Sequence, residues 1–426
     1  MLNNKYIFYK KKILIYGLGK TGFSTFNFLK KKNEIFLYDD KKKSQIKKKI
    51  ISYKDIIKKK LDYIIVSPGI NIEKCKLSKY LKKNKKKIVT DLDIFFSKYD
   101  KNKNICITGT NGKSTTAKIL YEVLKDQKKD VRLVGNIGYP ILNEKKVVNK
   151  TIFVIEASSY QLDYSKIFKS NIGVILNISP DHLERHRTLK RYINAKFKLI
   201  KNQKKKDYAI LNTKNFHIKK QIKKQNFLSK IIKIDKKIES TILKKINNPY
   251  FESMGNRENL KFVFEIAKVL KIKKEKLFKT LKKFNGLKYR QQIIFKNKDL
   301  TVINDSKATS FSSSVSILKT ISNVSWIVGG LPKKGDKLLL SKNDCKSFKA
   351  YIFGKNNIYF LKQFKNIVNS EVFADLESLI KKIFKDIKDK KDHQTILFSP
   401  AAASFDYFKN FEERGKYFNN LIKKIL

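Results

Sequence analysis

Short apolar runs alternate along the whole chain with stretches of helical periodicity. Residues 13–16, 105–108 and 172–176 are runs of four or five mostly apolar residues, each followed by glycine or polar residues. Runs of this length are typical of buried strands, and the longer amphipathic stretches between them are typical of helices. Because strands that alternate with helices favour parallel sheets, the pattern predicts an α/β fold.

This alternation falls into three predicted domains. A chain of 426 residues is too long for one hydrophobic core. The polar segment KYDKNKN at 98–104 separates the first strand-and-helix unit from the second. We predict a Rossmann-like N-terminal domain at 1–97, a central domain with a P-loop ATPase-type parallel sheet at 98–285, and a C-terminal Rossmann-like domain at 286–426.

A glycine-rich turn follows the first predicted strand. It has the pattern G-x-G-x-x-G, opens a predicted helix, and is followed after a second strand by two acidic residues. Such a turn and helix N-terminus bind a diphosphate, and acidic residues about 20 positions later commonly hold a ribose hydroxyl. NAD and a nucleotide-sugar diphosphate fit this pattern equally well. The candidate residues are Gly17, Gly19, Thr21, Gly22, Asp39 and Asp40.

A second loop, GTNGKST, joins the strand at 105–108 to a predicted helix. Its glycines would let backbone N–H groups point into one concavity, Lys113 would reach the outer phosphates of ATP or GTP, and Ser114 would offer a hydroxyl to Mg²⁺. The spacing departs from the common G-x4-G-K-[ST] pattern, because Ile107 stands where the first glycine is expected. A glycine turn with a surface lysine is the alternative. The candidate residues are Gly109, Thr110, Asn111, Gly112, Lys113, Ser114 and Thr115.

Other strands of the central domain also end in polar residues. Asn136, Glu156 and His182 each follow a predicted strand. Because the carboxyl ends of parallel strands converge on a ligand crevice, we expect Glu156 and His182 to face the phosphates held by Lys113. Glu156 is then a candidate Mg²⁺ ligand. A solvated turn carboxylate and a capping or core histidine are the alternatives.

Three strand ends of the third domain carry cationic or hydroxyl-bearing loops. They read DSKAT at 305–309, GGLPKKGD at 329–336 and SPAAASFD at 399–406. Gathered at one edge of a sheet, such loops suit a small anionic substrate. Each loop alone would be an ordinary turn between a strand and a helix.

The formal net charge of +60 would ordinarily indicate a nucleic acid or a membrane surface as partner. Only seven of the 97 basic residues are arginine, however, and the lysines are scattered along the whole chain. A solvated, lysine-covered surface is therefore favoured over a nucleic-acid platform. Since lysine is the default cation here, we expect Arg185, Arg290 and Arg414 where a planar fork of donors is needed.

The cysteines and the apolar runs bear on the compartment. Three cysteines at positions 75, 106 and 345 suggest no disulfide framework and favour a reducing environment. The N-terminus lacks an apolar signal region, and no run of 18 apolar residues occurs. We predict a cytoplasmic protein without a membrane partner.

Together these motifs resemble the Mur ligase family, whose members form amide bonds with ATP in cell-wall precursor synthesis. The resemblance covers almost the whole chain and all three predicted domains. Its strongest pieces are GTNGKST (109–115), GNIG (135–138), EASSYQL (156–162), DHLERH (181–186) with Ala195-Lys196 downstream, DSKAT (305–309) and SPAAASFDYFKNFEERG (399–415). The last two resemble the branch that adds D-glutamate to UDP-N-acetylmuramoyl-L-alanine.

The resemblance implies a role for each matching position. Lys113 and its loop would hold ATP. Ser114 and Glu156 would bind one Mg²⁺, and His182 with a carbamylated Lys196 would bind a second. The first domain would hold UDP on its glycine turn.

The resemblance also places residues around the substrates. Asn136 would contact the muramoyl or phosphate oxygens, Asn256 and Asp305 would hold the adenosine, and Arg290 would lie near the phosphates. The residues that would receive D-glutamate are Lys307, Thr309, Lys333, Ser404, Phe405 and Phe411.

Two positions depart from the family pattern on the nucleotide side. Gly255 stands where the family's His-Asn-x-x-Asn run begins, and Tyr289 replaces the histidine before Arg290. A third position stays open, because the spacing allows either Lys333 or Lys334 as the substrate lysine.

The resemblance implies an ATP-dependent ligase that adds D-glutamate through an acyl phosphate in peptidoglycan precursor synthesis. It also implies small-molecule substrates, no nucleic-acid partner and a monomer. Another Mur-type or folyl-polyglutamate-like ligase is the nearest alternative. An NAD-dependent dehydrogenase and a nucleic-acid-binding ATPase are alternatives from other classes.

Overall fold

The computed structural model describes residues 6–40, 50–235, 238–333 and 335–426. Its strands are β1 (Lys12–Tyr16), β2 (Glu34–Tyr38), β3 (Tyr63–Val66), β4 (Ile88–Val89), β5 (Lys103–Thr108), β6 (Val131–Gly135), β7 (Ile152–Glu156), β8 (Ile172–Ile175), β9 (Tyr208–Asn212), β10 (Lys230–Ile234), β11 (Gln292–Lys296), β12 (Leu300–Asn304), β13 (Val324–Gly329), β14 (Phe348–Phe353), β15 (Asn369–Phe373) and β16 (Gln394–Phe398).

The helices connect these strands. They are α1 (Lys20–Leu29), α2 (Tyr53–Lys58), α3 (Ser78–Lys83), α4 (Asp91–Tyr99), α5 (Lys113–Asp126), α6 (Ser159–Tyr164), α7 (Leu183–His186), α8 (Leu189–Lys201), α9 (Phe216–Lys224), α10 (Ser240–Ile246), α11 (Met254–Val269), α12 (Lys274–Lys282), α13 (Phe311–Leu318), α14 (Asn357–Phe364), α15 (Leu376–Ile387) and α16 (Phe411–Ile425). Among the described helices, none is both long and apolar enough to cross a bilayer.

The described strands form three sheets. The first has the order β2-β1-β3-β4 and is parallel. The second has the order β10-β9-β8-β5-β7-β6 and is also parallel. The third has the order β11-β12-β16-β13-β14-β15, in which only β11 runs antiparallel to its neighbour. The prediction of an α/β fold with parallel sheets is confirmed.

The chain divides into two compact units. One comprises residues 1–237 and 261–280, and the other comprises residues 238–260 and 281–426. The first unit contains the first two sheets, and the second unit contains the third sheet. The boundaries of the three predicted domains stay a prediction.

Helix α4 joins the first two sheets within one unit. Its Asp93 is fully buried, and one carboxylate oxygen accepts hydrogen bonds from the backbone of 166–168 at 2.8–3.1 Å and from the Ser165 hydroxyl at 2.9 Å. Both oxygens of Asp91 accept from the Gln161 amide at 3.0–3.1 Å. The ring of Phe95 packs edge-on against Phe153 of the central sheet. These contacts tie the end of the first sheet to the segment before β8.

The third sheet is centred on fully buried strands. Every residue of β13 is buried, and its Trp326 ring packs against Phe311 and Phe364. The indole N–H of Trp326 donates to the carbonyl of Ser399 at 2.9 Å. This bond fixes the start of the loop that follows β16.

Candidate active site

The glycine turn after β1 is shaped by close backbone contacts. A Cβ on Gly22 would lie 1.9 Å from the carbonyl oxygen of Gly17, so only glycine fits at that position. The Ser67 hydroxyl donates to the same carbonyl at 2.6 Å. Gly19 caps the N-terminus of α1, and Thr21 lies in the first turn of that helix. The turn therefore presents a helix N-terminus at the edge of the first sheet.

Two acidic residues brace this turn. Asp39 accepts a hydrogen bond from the backbone N–H of Leu18 at 2.7 Å. Asp40 accepts from the Tyr16 hydroxyl, also at 2.7 Å. Both carboxylates therefore lie beside the glycine turn, where the sequence placed them, and each also has a structural partner.

The phosphate loop lies between β5 and α5, at the centre of the second sheet. Gly112 caps α5 in a left-handed conformation with φ of +83°. The Lys113 ammonium donates to the carbonyls of Gly109 and Thr110 at 2.8 and 2.7 Å. Ser114 and Thr115 are buried in the first turn of α5. The loop therefore presents a cation and a helix N-terminus at the same place, which suits a polyphosphate.

Asn177, after β8, clamps this loop from the side. Its side chain accepts from the N–H of Asn111 at 2.8 Å and donates to the carbonyl of Asn111 at 3.1 Å. Its carbonyl accepts from the N–H of Thr110 at 2.9 Å. The strand next to β5 thus sets the conformation of the phosphate loop.

Glu156, the last residue of β7, meets the phosphate loop on the other side. It is 1% exposed, and one carboxylate oxygen accepts from the Ser114 hydroxyl at 2.7 Å. The other oxygen accepts from the Asn136 amide at 3.2 Å. Gly135 lets the backbone of β6 pass close to Glu156, because a Cβ at this position would lie 2.3 Å from the carbonyl oxygen of Glu156. A hydroxyl and a carboxylate at a phosphate loop are hard oxygen ligands that fit Mg²⁺.

His182 lies at the start of α7 with φ of +55°. Its ring nitrogens lie 3.4 and 3.6 Å from the carboxylates of Asp181 and Glu184. The ring packs against Tyr160 at a centroid distance of 5.0 Å. The Arg185 guanidinium lies 3.9 Å from the centre of the Tyr160 ring and donates to the carbonyl of Pro68, so this arginine does use its planar donors.

Lys196 is buried beneath the phosphate loop. Its side chain is 1% exposed, and its amino group donates to the carbonyl of Gly109 at 2.8 Å. Lys113 donates to the same oxygen, so the two amino groups are close neighbours. Burial lowers the pKa of the Lys196 amine well below its usual range, and the charge of Lys113 lowers this pKa further.

Tyr192 connects these residues, and the sequence analysis did not identify it. It lies one turn before Lys196 on α8, and its ring is 4.6 Å from the Lys196 amino nitrogen. Its hydroxyl is 3.1 Å from the hydroxyl of Thr110 in the phosphate loop. Its ring also contacts the rings of His182 and His186. The spacing of Tyr192 and Lys196 by four residues on a helix was the available signal.

No group of three His, Cys, Asp or Glu side chains is placed to hold a metal within the ranges that the structure describes. The pair Ser114 and Glu156 fits one Mg²⁺ by its oxygen chemistry. His182 and an unmodified Lys196 offer no anionic oxygen of their own, so this pair fits Mg²⁺ only if the lysine carries a carboxylate.

In the second unit, Arg414 joins the three loops at the edge of the third sheet. It is fully buried, and its guanidinium donates to the carbonyls of Ser306 and Ala402 at 2.7 and 2.9 Å and to that of Gly329 at 3.4 Å. Burial lowers the pKa of Arg414 to about 10. The expectation that this arginine occupies a position needing a planar fork is confirmed.

The candidate D-glutamate residues lie on these loops. Phe411 begins α16, and its ring lies 4.0 Å from the Lys307 amino nitrogen and 5.8 Å from the Arg290 guanidinium. Ser404 is buried, whereas Phe405 is 70% exposed. Thr309 and Lys333 are half-buried, and the alternative Lys334 lies outside the described residues. The three loops that carry these candidates meet at one sheet edge through Arg414, and their role in binding D-glutamate stays a prediction.

The candidate adenosine residues are linked by Gln291. Asn256 is 4% exposed and donates to the Gln291 side chain at 3.2 Å. The backbone N–H of Gln291 donates to Asp305 at 3.1 Å. Burial raises the pKa of Asp305 to about 7. Asn256 and Asp305 are thus brought together through a residue that the sequence analysis did not identify.

The comparisons with known proteins agree along the chain. The Mur ligase middle domain matches residues 107–277, and the MurD-like N-terminal domain of Mur ligases matches residues 11–89. Curated relatives named UDP-N-acetylmuramoylalanine–D-glutamate ligase include those of Rickettsia felis, 35% identical, and Francisella philomiragia, 34% identical. In both cases the match covers 97% of this chain and 97% of the relative.

Solved structures share the fold. UDP-N-acetylmuramate-alanine ligase MurC from Thermotoga maritima gives a TM-score of 0.56 at 15% identity, over 98% of this chain and all of that one. MurF ligase from the same organism, in complex with ADP, gives a TM-score of 0.55 at 15% identity, over 100% of this chain and 98% of that one.

The fold and the phosphate-loop site define an ATP-using α/β enzyme. With relatives above 30% identity along nearly its whole length, the chain belongs to the Mur ligase family. It is accordingly an ATP-dependent amide ligase of peptidoglycan precursor synthesis, in a family that uses Mg²⁺ and acts on small molecules.

Proposed function

We propose that this ligase adds D-glutamate to UDP-N-acetylmuramoyl-L-alanine. The observation that carries the proposal is the convergence of Lys113, Ser114 and Glu156 at the carboxyl edge of the central sheet. The relatives' shared name supports the choice of substrates. The cationic loops around Phe411 support an acceptor that carries carboxylates.

The chemistry requires two steps. A carboxylate oxygen of the L-alanyl group attacks the γ-phosphorus of ATP, and ADP leaves. The amino nitrogen of D-glutamate then attacks the carbonyl carbon of the acyl phosphate, inorganic phosphate leaves, and the nitrogen loses a proton. In the first step, Lys113 and the N–H groups of its loop stabilise charge on the transferring phosphoryl group.

Ser114 and Glu156 would hold one Mg²⁺, and His182 with carbamylated Lys196 would hold a second. Bound Mg²⁺ would neutralise charge on the phosphoryl oxygens. Two observations support carbamylation: Lys196 is buried, and it shares one carbonyl acceptor with Lys113. Both favour a neutral amine, which is the form that attacks CO₂. The product carbamate is an anionic oxygen ligand.

The remaining assignments follow the same proposal. The glycine turn with Gly17, Gly19, Thr21 and Gly22 would bind the UDP diphosphate, beside Asp39 and Asp40, while Asn136 would contact the muramoyl end. Asn256, Asp305 and Arg290 would bind the nucleotide. The D-glutamate site would comprise Lys307, Thr309, Lys333, Ser404, Phe405 and Phe411. We further propose that the protein is a cytoplasmic monomer with domains 1–97, 98–285 and 286–426.

Phosphate release from ATP tests this function. Release should require both UDP-N-acetylmuramoyl-L-alanine and D-glutamate, because each supplies one of the two reacting groups. A Glu156→Gln variant should lose nearly all activity, whereas Glu34→Gln, at an exposed position of β2, should leave it unchanged. Phosphate release that is independent of the UDP-linked substrate would exclude the proposed reaction.

A further inference from the structure

Gln291 occupies an unusual backbone conformation between two candidate nucleotide residues. Its φ is +48°, in the left-handed region that residues other than glycine seldom adopt. It directly precedes β11, the antiparallel edge strand of the third sheet. When a residue other than glycine adopts this conformation, contacts with the surrounding structure hold it there.

The orientation of the Gln291 side-chain amide follows from its neighbours. The Asn256 amide group donates to the carbonyl of Tyr250 at 2.7 Å, so its nitrogen faces that carbonyl and also Gln291. The Ser253 hydroxyl donates to the same Gln291 atom at 2.7 Å. Both neighbours act as donors, so the Gln291 atom between them is the oxygen.

The backbone of Gln291 holds the other candidate residue. Its N–H donates to one oxygen of Asp305 at 3.1 Å, and the Ser399 hydroxyl donates to the other oxygen at 3.3 Å. Asp305 is 5% exposed, so its acceptor atoms depend on these few donors. One residue therefore contacts Asn256 through its side chain and Asp305 through its backbone.

We propose that Gln291 is a positioning residue for nucleotide binding, which sets the spacing of Asn256 and Asp305. The inference rests on the proposed function, since the resemblance assigns those two residues to the adenosine. Gln291 acts through them and is not itself a catalytic residue. The expected consequence of losing its side chain is weaker nucleotide binding with little change in the binding of the other substrates.

Gln291→Met tests this inference, because methionine keeps the length of the side chain and removes its acceptor. The Kd for ADP and the KM for ATP should each rise about tenfold, which is about 1.4 kcal/mol of binding free energy, because Asn256 and Ser253 lose the acceptor that they share. The KM values for the UDP-linked substrate and for D-glutamate should stay within twofold. Equal increases in all three KM values, or no change in the ADP Kd, would overturn the proposal.

The matched control is Gln363→Met. Gln363, on α14, accepts a single hydrogen bond from the backbone N–H of Leu338 at 3.1 Å. Its replacement also removes a glutamine acceptor from the second unit, so it reports the general effect of such a loss on stability. The Gln363→Met protein should bind ADP with the affinity of the unsubstituted protein.

A double-mutant cycle separates positioning from direct contact. If Gln291 acts through Asn256, the Gln291→Met, Asn256→Ala double variant should bind ADP no more weakly than Asn256→Ala alone. Multiplicative losses would show that Gln291 acts independently of Asn256 and would overturn the inference. An unsubstituted protein that neither binds ADP nor forms product would instead contradict the proposed function, which keeps the two failures distinguishable.

Discussion

Glu156, Lys196 and Arg414 are ionisable side chains that the fold buries almost completely. Each is surrounded by polar partners: Glu156 by Ser114 and Asn136, Lys196 by the phosphate loop, and Arg414 by backbone carbonyls. Burial of an ionisable group without compensation is unfavourable, so such residues either maintain the structure or carry function. Arg414 does the first for the third-sheet loops, and we propose the second for Glu156 and Lys196.

Carbamylation of Lys196 leads to a prediction about substitution. Lys196→Ala should lose nearly all activity in the phosphate-release assay, and added acetate should restore part of it by supplying a carboxylate. Lys196→Arg keeps the positive charge and should stay inactive. Lys198 lies two positions further along α8, and its side chain is 40% exposed. The Lys198→Ala variant should retain activity, and added acetate should not change that activity. An active Lys196→Arg variant would mean that the residue works as a cation.

We expect the hydroxyl of Tyr192 to affect the binding of ATP and not that of the other substrates. Tyr192→Phe removes the contact with Thr110 and keeps the ring beside Lys196. The KM for ATP should rise about five- to tenfold, with unchanged KM values for the other substrates. Tyr351→Phe deletes a comparable buried hydroxyl, bonded to Asp386 at 2.7 Å, and should leave every KM unchanged. A Tyr192→Phe enzyme with an unaltered KM for ATP would refute this role.

Asp305 should make stability depend on pH. Its pKa is raised to about 7 by burial, against about 3.9 in an unfolded chain. Between these values the folded state binds the proton more tightly, so the contribution of Asp305 to stability falls as pH rises from about 4 to about 7. Between pH 5 and pH 8, the Tm of the Asp305→Asn variant should therefore fall less than the Tm of the unsubstituted protein. Parallel Tm curves would contradict the assignment.

At the scale of elements, the sequence predicted the buried strands well and missed two half-exposed edge strands of the third sheet. The predicted strands at 13–16 and 105–108 lie within β1 and β5, and the one at 172–176 ends one residue beyond β8. Strands β11 and β15 were not predicted, because they lie at the edges of the third sheet and neither contains a run of four apolar residues.

The site followed the same rule. Loops that end buried strands were located from sequence, because parallel strands bring their carboxyl ends together. Contacts between side chains far apart in sequence could not be located in this way. The hydroxyls of Tyr192 and Thr110 are 82 positions apart in sequence, and Gln291 and Asn256 are 35 positions apart. No periodicity or local motif encodes such pairs.

Helix α4 provides a prediction at this scale. Asp93→Ala would leave the backbone N–H groups of 166–168 without their acceptor in a buried setting. The free energy of unfolding of the first unit should fall by about 3 kcal/mol or more, measured by urea denaturation. Asp62→Ala removes an acceptor from an exposed N–H, that of Lys12, and should have a much smaller effect. Equal effects would show that the buried cluster is not a stabilising link.

At the scale of the whole molecule, the chain combines one unit that carries two sheets with a second unit that carries one. The proposed sites for the UDP-linked substrate and the triphosphate both belong to the first unit, and the proposed D-glutamate loops belong to the second. The net charge of +60 of the whole chain is spread over lysines along the sequence and is not needed for this chemistry.

The identity of the product tests the proposed function most directly. The purified protein is incubated with ATP, Mg²⁺, UDP-N-acetylmuramoyl-L-alanine and one of three acceptors: D-glutamate, L-glutamate or meso-diaminopimelate. Mass spectrometry then measures the UDP-linked product. The proposed reaction should give an adduct of one glutamyl residue with D-glutamate and little product with the other two. Equal product from L-glutamate, or product only from diaminopimelate, would contradict it.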